Sequence, residues 1–254
     1  MRLSTRAAKA APIAGAAIIL LIWWIGSSII GSTLLLPSPP DTFRALIQIF
    51  GMPSFASDIA ATALRVAYAF ILSFVLGAAA GAASGFSGVL RAMLSPAMAA
   101  LRTVPFISLS VLSLVWFKSG AVPVFVAFLM AFPLVAAIVS EGVSSVDDLL
   151  IELSRAYKVP KARMLRSLYA PSLAPYLLSA AAQAMGVSWK IVVSAEVLSL
   201  PRAGIGARMD TARAFLDTPG LFAWTLLLVL IGFGTDLLLA GLLRRSFRRK
   251  EAGR

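Results

Sequence analysis

The chain has 254 residues, 59% of them hydrophobic and 13% charged, with a mean hydropathy of +0.90. Ordinary soluble domains carry about 25% charged residues, so most of this chain is built to face lipid or buried protein. It has no cysteine and no histidine, which excludes disulfides, thiol nucleophiles and the commonest metal ligand and general base; its formal charge of +12 sits beside apolar runs, as membrane flanks do, rather than on a groove for nucleic acid.

Residues 1–12 read as a basic tail with Arg2, Arg6 and Lys9, and the first apolar run follows from Ile13 to Ile30. A cleaved signal peptide competes with a first span or signal anchor here. At roughly 18 residues the run exceeds the usual h-region, and "GSSIIGSTLLLP" offers no clear Ala-x-Ala site, which favours the span. The stretch "LLLPSPPDTFRAL", Leu34 to Leu46, links it to a second span from Ile59 to Gly81. Arg65 lies a few residues inside that span, where a charge must either snorkel to the outer interface or be paired, Glu196 being the candidate partner by depth. Gly77, Gly81 and Gly85, with the alanines between them, predict close approach of a neighbouring helix.

A third span over Val104 to Phe117 is short and must begin near Leu94 or Ala97 to cross, carrying Arg102 and Pro105 with it. Only "KSG", Lys118 to Gly120, separates it from a fourth span over Ala121 to Val139. Pro105, Pro123 and Pro133 can interrupt the helical ladder where a cavity or motion exists.

The segment from 140 to 172 is charged and punctuated, and it predicts two short helices on one side of the membrane. Ser144 or Ser145 would cap the first, with Asp147 and Asp148 at the positive end of its dipole. Leu149, Leu150, Leu153 and Tyr157 recur at roughly helical spacing. Pro160 ends that helix and Pro171 closes the second. A solvated loop whose charges merely enforce topology is the competing reading; the leucines and Tyr157 favour an apolar side buried against the bundle or in a partner's groove.

The fifth span runs from Leu173 to Val197 and contains Gly186, Trp189, Lys190 and Glu196. A lone ammonium facing lipid is costly, so Lys190 either pairs within the protein or faces a watery path, where it would attract an anion. Lys190 and Glu196 stand on different faces of a straight helix. Gly186 predicts a bend or tight contact, and Trp189 fits packing. An outer segment from Pro201 to Gly220 carries Gly204 and Gly206, ahead of a short amphipathic helix from Ala207 to Leu216. The last span, Leu221 to Leu243, holds Asp236, read as a structural partner of Arg244 or Arg245, and residues 244–254 form a basic tail.

Six spans put both termini and the 140–172 segment on the same side. That side then holds sixteen Lys and Arg, against five (Arg44, Lys118, Arg202, Arg208 and Arg213) on the other, which makes it the cytoplasm. The expected fold is therefore all-α and polytopic. No G-x-x-x-x-G-K-[ST] run is present, so the chain has no nucleotide-binding loop. An intramembrane enzyme is the competing class, but it would need a nucleophile with a base or a cluster of carboxylates for metal, and the intramembrane acids are scattered.

The central segment resembles the Glu-Ala-Ala loop of binding-protein-dependent ABC transporter permeases. Glu152 matches the motif's Glu, Leu153 and Ser154 stand at its alanines, Ala156 keeps a small residue, and Pro171 matches its closing Pro. Lys158 stands at the motif's Gly, so the turn falls on Lys158 or on the Val159–Pro160 step, and Ala170 replaces the Leu before Pro171. "LLLPSPPDTFRAL", "LRTVPFISLSVLSLVWF" (Leu101 to Phe117) and "SWKIVVSAEVLSLPRAGIG" (Ser188 to Gly206) are similar, in order, to the nitrate/sulfonate/taurine branch, and Gly204 and Gly206 match its Gly-Ile-Gly turn.

The resemblance implies a type I importer fold, with a permease domain over residues 13–243 in a bacterial inner membrane. It implies a second permease copy forming a homodimer, two cytosolic ATPase subunits carrying ATP and Mg, and an outer solute-binding protein, with no cofactor on this chain. By the same likeness Glu152, Leu153, Ala156, Tyr157, Lys158, Pro160, Leu165 and Pro171 belong to the ATPase-coupling surface. The expected substrate is a small anion such as a sulfonate or nitrate, the alternative being a thiamine-precursor-like or aromatic heterocyclic solute.

Overall fold

The computed structural model describes residues 5–251. Residues 1–4 and 252–254 of the expected tails lie outside the described residues, as do the side chains of Arg6, Lys9 and Arg244 to Lys250; the expected partners of Asp236 are among these.

Eleven α-helices and one π turn make up the described residues, with no strand: α1 (Thr5–Ile30), α2 (Pro39–Phe50), α3 (Phe55–Phe86), α4 (Gly88–Thr103), α5 (Phe106–Trp116), α6 (Val122–Ser144), α7 (Asp148–Ala156), α8 (Lys161–Met164), the π turn (Leu165–Tyr169), α9 (Ala170–Ser199), α10 (Ile205–Ala214) and α11 (Thr218–Glu251). Four segments are long and apolar enough to cross a membrane: α3, α6, the continuous run Lys161–Ser199, and Thr218–Leu238 of α11. The described apolar part of α1, Ala14–Ile30, is shorter.

The expected third span is not a straight helix. α4 and α5 pass the same test only together, and they bend by 100° at their junction. Pro105 is the cause: its ring pushes Val104 into extended backbone (φ −69°, ψ 126°), and Pro105 itself caps α5 from an extended conformation. The short stretch "LLLPSPPDTFRAL" also holds an unforeseen helix. Ser38 caps α2, its Oγ accepting from the Asp41 N–H at 3.3 Å and donating to Asp41 Oδ2 at 2.6 Å. Prolines open α2 where no N–H is needed, and Thr42, Leu46 and Ile49 turn one face inward.

The small-residue run in α3 does what its composition predicts. A Cβ on Gly77 would sit 2.8 Å from Val135 Cβ, and one on Gly81 would sit 2.5 Å from the Ala136 carbonyl, so α3 lies almost backbone to backbone on α6. Gly142 of α6 similarly sits under the Tyr176 ring of α9, 2.7 Å from its Cγ to a notional Cβ. One core forms between these three helices around Ala131, Val135, Val139, Ala180 and Ala184. A second joins α2, α3, α9 and α11 around Leu46, Ile49, Val66, Trp189, Val192 and Trp224. At the end of the bundle near the 140–172 segment, Arg91 ties α4 to its neighbours by donating to the Ser84 carbonyl (3.3 Å) and Ser144 Oγ (2.6 Å).

Candidate functional site

Three features gather polar, charged or uncovered side chains: a buried polar hub, a polar stripe on α9, and the loop from α7 to the π turn.

The hub begins with Glu196, which is fully buried. Its carboxylate pairs with Arg65 Nη1, accepts from Thr62 Oγ1 at 3.0 Å and from the Gly206 N–H at 2.9 Å. Of the two readings of Arg65, pairing is therefore the one realised, and the guanidinium is further held by the carbonyls of Ala203 (2.8 Å) and Gly120 (3.2 Å). Asp58, also fully buried, accepts from the Gly204 N–H (3.0 Å) and from Arg208 Nε (2.7 Å), while Thr62 Oγ1 accepts from the Ile205 N–H at 2.8 Å.

Between them Asp58, Thr62 and Glu196 satisfy the backbone N–H groups of Gly204, Ile205 and Gly206, donors that the start of α10 leaves without intrahelical partners. The two glycines make this possible. Gly204 has φ +146°, and a Cβ there would lie 2.7 Å from Glu196 Oε2; a Cβ on Gly206 would collide with the Val193 carbonyl. Both glycines match the expected outer turn, and the helix that follows spans Ile205–Ala214, two residues earlier than expected at each end.

The second feature is one side of α9. Ser179, Gln183 and Lys190 are exposed there, with Gly186 half-buried between them, a spacing that keeps all four on one face. Gln183 Nε2 donates to Ser179 Oγ at 3.1 Å. Lys190 has no ion pair among the described residues, so the expected intrachain pairing is absent from them. Nothing lies within 4 Å of a notional Cβ on Gly186, which corrects the expected tight contact: the helix is continuous there, and the residue lowers the wall of an open face instead. Trp189, one position from Lys190, turns the other way into the core and is 6% exposed. Glu196 is buried while Lys190 is exposed, as their separation on the helix requires.

The third feature is the loop. The cap of α7 is Asp147, whose Oδ1 accepts from the Leu149 N–H at 2.9 Å, rather than the expected Ser144 or Ser145, because α6 continues through Ser144. Leu149, Leu153 and Tyr157 are 68%, 52% and 78% exposed and form an uncovered stripe beside Glu152. Ala156 lies at the end of α7. The turn falls on Lys158, with φ +53°. Its N–H donates to the Arg155 carbonyl and that of Val159 to the Ser154 carbonyl, both at 2.9 Å; this is a Schellman close with Lys158 at the position usually given to glycine. A side chain held in this left-handed region costs about 1–2 kcal/mol relative to ordinary backbone.

Pro160 caps α8. Pro171 does not close the second helix, contrary to expectation: the chain runs on through the π turn, which contains Leu165, into α9. A wider turn just before Pro171 relaxes the ladder where proline supplies no N–H and crowds the preceding turn.

The structure brings the Arg65–Glu196 pair, one of two alternatives left by the sequence, together with the Gly204–Gly206 turn, a junction the sequence did not predict, whereas Lys190 stands apart on another face. Sequence reasoning missed Asp58, Thr62 and Arg208. The available signal was an acid at the outer edge of an apolar run, four residues from a threonine and seven from an arginine.

Comparison with known proteins identifies the family. Residues 73–248 match the family model described as the binding-protein-dependent transport system inner membrane component. The chain is 28% identical to the taurine transport system permease protein of Escherichia coli (strain K12) over 90% of its own length and 86% of the relative's. It is 30% identical to a putative aliphatic sulfonates transport permease protein of the same organism over 91% and 88%, and 30% identical to the riboflavin transport system permease protein of Chloroflexus aurantiacus over 64% and 60%. The stretch matched by the family model includes the glycine run of α3, the bent pair, the loop at Glu152, the Lys190 face and Glu196, while Asp58, Thr62 and Arg65 of the hub precede it; the chain belongs to the family of binding-protein-dependent transport system inner membrane components, the permease subunits of ABC transporters.

Proposed function

We propose that this permease forms the path of an ATP-driven importer for a small sulfonate-type anion and takes its energy from a separate ATPase. The observation that carries the reading is Lys190, exposed and without an ion pair among the described residues, on the α9 face that also holds Ser179, Gln183 and Gly186. An ammonium in an apolar span is tolerated where it lines a watery cavity, and there it offers a charged hydrogen-bond donor to an anion, with the Gln183 amide about two turns and the Ser179 hydroxyl about three turns away along the same face. The names of the taurine and aliphatic sulfonates relatives support the same class of solute.

In this reading six passages, with α4–α5 as one bent passage and α1 as the first, place both termini and the α7–π turn loop in the cytoplasm, consistent with the distribution of basic residues. A second copy completes the path opposite α9. An outer solute-binding protein delivers the anion at the α10 end. The Leu149, Leu153, Tyr157 stripe with Glu152 seats in a groove of the ATPase, which holds ATP and Mg. The matched family and the absence of a nucleotide-binding loop in the sequence both support this division of labour.

The test is radiolabelled taurine uptake by the permease assembled with its ATPase and binding protein. Lys190→Met is expected to lower uptake by about tenfold or more, the scale of one charge-assisted hydrogen bond, with ATPase assembly unchanged. Uptake unaffected by Lys190→Met would refute the role of this face. Uptake of riboflavin and not of taurine would favour the heterocyclic alternative, which the shorter riboflavin-named match supports.

A further inference from the structure

A cavity of about 710 Å³ opens beneath the loop, lined by Phe86, Arg155, Lys158, Val159, Pro160, Lys161, Met164, Leu165 and Tyr169. Its composition is amphiphilic. Phe86 and Tyr169, their rings edge to face with centroids 4.9 Å apart, form an apolar floor with Met164 and Leu165. Arg155, Lys158 and Lys161 supply three cations, no carboxylate lines the cavity, and none of the three makes an ion pair among the described residues.

This is not the face of α7 that carries the uncovered leucines. Arg155 is two residues from both Leu153 and Tyr157, which puts it about 200° around the helix from each. The loop therefore has two sides: one presents Leu149, Leu153 and Tyr157, and the other turns its cations over the ends of α3 and the π turn, where the membrane-spanning segments finish. Lys158 adds an independent observation. It occupies a left-handed turn position that glycine would fill without strain, so a side chain is kept there against a backbone penalty, and that side chain lines the cavity.

We propose that this cavity binds an anionic phospholipid of the inner leaflet, its phosphate on Arg155, Lys158 and Lys161 and the start of an acyl chain on Phe86, Met164, Leu165 and Tyr169. A basic pocket at the cytoplasmic ends of transmembrane helices complements an anionic headgroup, and aromatic rings suit that depth. The apolar floor favours an amphiphile over free phosphate. The inference rests on the reading above in placing this loop on the cytoplasmic side, and it moves Lys158, Pro160 and Leu165, which the family likeness groups with the ATPase-coupling surface, to the side of the loop turned away from the Leu149, Leu153, Tyr157 stripe. It makes the lipid a third contact of the coupling element, fixing the height of the loop relative to the bilayer.

The test measures binding of short-chain phosphatidylglycerol and of phosphatidylcholine to the detergent-purified full-length permease, by native mass spectrometry and by thermal shift, with inorganic phosphate as a control. Preference for phosphatidylglycerol is expected, falling about fivefold for each cation removed in Lys158→Gly and in the double variant Lys158→Gly, Lys161→Gln, and restored by Lys158→Arg. Lys158→Gly should be at least as heat-stable as the parent in phosphatidylcholine, since it relieves the turn; this separates a lost ligand from a lost fold. An unchanged lipid preference in the double variant overturns the proposal. So does an equal response to inorganic phosphate, or a double variant that keeps its lipid preference but no longer retains the ATPase, which would assign the cations to an acidic segment of that partner. Leu153→Ala tests the coupling stripe separately: lost coupling with intact lipid preference leaves both readings standing, and intact coupling with intact lipid preference refutes only the stripe.

Discussion

Removing Arg65 should expose how much the α10 end of the bundle depends on the hub. In Arg65→Met the Glu196 carboxylate stays fully buried and keeps only Thr62 Oγ1 and the Gly206 N–H as donors. Breaking a buried ion pair by deleting one partner costs about 3–5 kcal/mol, because the remaining charge is uncompensated. The two surviving donors place this site at the lower end, about 3 kcal/mol. For a chain of this size each kcal/mol moves the unfolding midpoint by about 2–4 °C, so a drop of about 6–12 °C is expected in detergent. The informative partner is the double variant Arg65→Met, Glu196→Gln. A neutral amide can still accept from Gly206 and leaves no buried charge, so the double should be more stable than Arg65→Met alone, the signature of coupled sites. Thermal unfolding followed by tryptophan fluorescence measures all three. A shift below about 2 °C in Arg65→Met, or losses in the double that add, would refute the assignment of a charge-dependent hub.

Other outcomes follow from the same contacts. Asp58→Ala strips the Gly204 N–H of its acceptor and leaves Arg208 without its carboxylate, and should cost about 1–3 kcal/mol by thermal unfolding; a neutral result would mean that α10 is held by other contacts. Gly81→Ala forces a methyl group against the Ala136 carbonyl and should cost about 1–3 kcal/mol as overpacking, whereas Gly88→Ala, with nothing within 4 Å of its notional Cβ, serves as the tolerant control. In the assembled transporter, Leu153→Ala with Tyr157→Ala, or charge reversal at Glu152, should separate ATP hydrolysis from taurine uptake while membrane insertion is kept. Normal coupling in these variants would move the ATPase contact elsewhere on the loop.

Hydropathy made the long helices legible because burial in lipid demands continuous apolar runs, and the glycine run in α3 was legible because close helix contact demands small side chains at one spacing. The loop helices could be placed from Pro160 and the leucine spacing. The 100° bend at Pro105 could not, since a proline inside an apolar stretch is compatible with a kink of any size and only tertiary packing selects this one. The cap of α7 was misplaced by two or three residues because Ser144, Ser145 and Asp147 are all competent acceptors, and α6 was free to extend into the first of them. Arg65 and Glu196 could be paired only by depth. Asp58 escaped attention because its partners, the Gly204 N–H 146 residues away and the Arg208 guanidinium 150 residues away, leave no mark in the local sequence.

The run from Lys161 to Ser199 is 39 residues without a loop, a strut of about 60 Å at 1.5 Å per residue. One of its ends is the loop beneath which the cations gather, and its far third bears Lys190 and then Glu196, which pins it to α3 and α10. A tilt imposed at the Lys161 end cannot be absorbed by a flexible connection on the way; it must swing Lys190 sideways and load the hub at the opposite rim. Movement at one end is thereby geared to movement at the other by a single piece of backbone, with the wider turn at Leu165–Tyr169 and the interior Pro175 as the places along it that can bend.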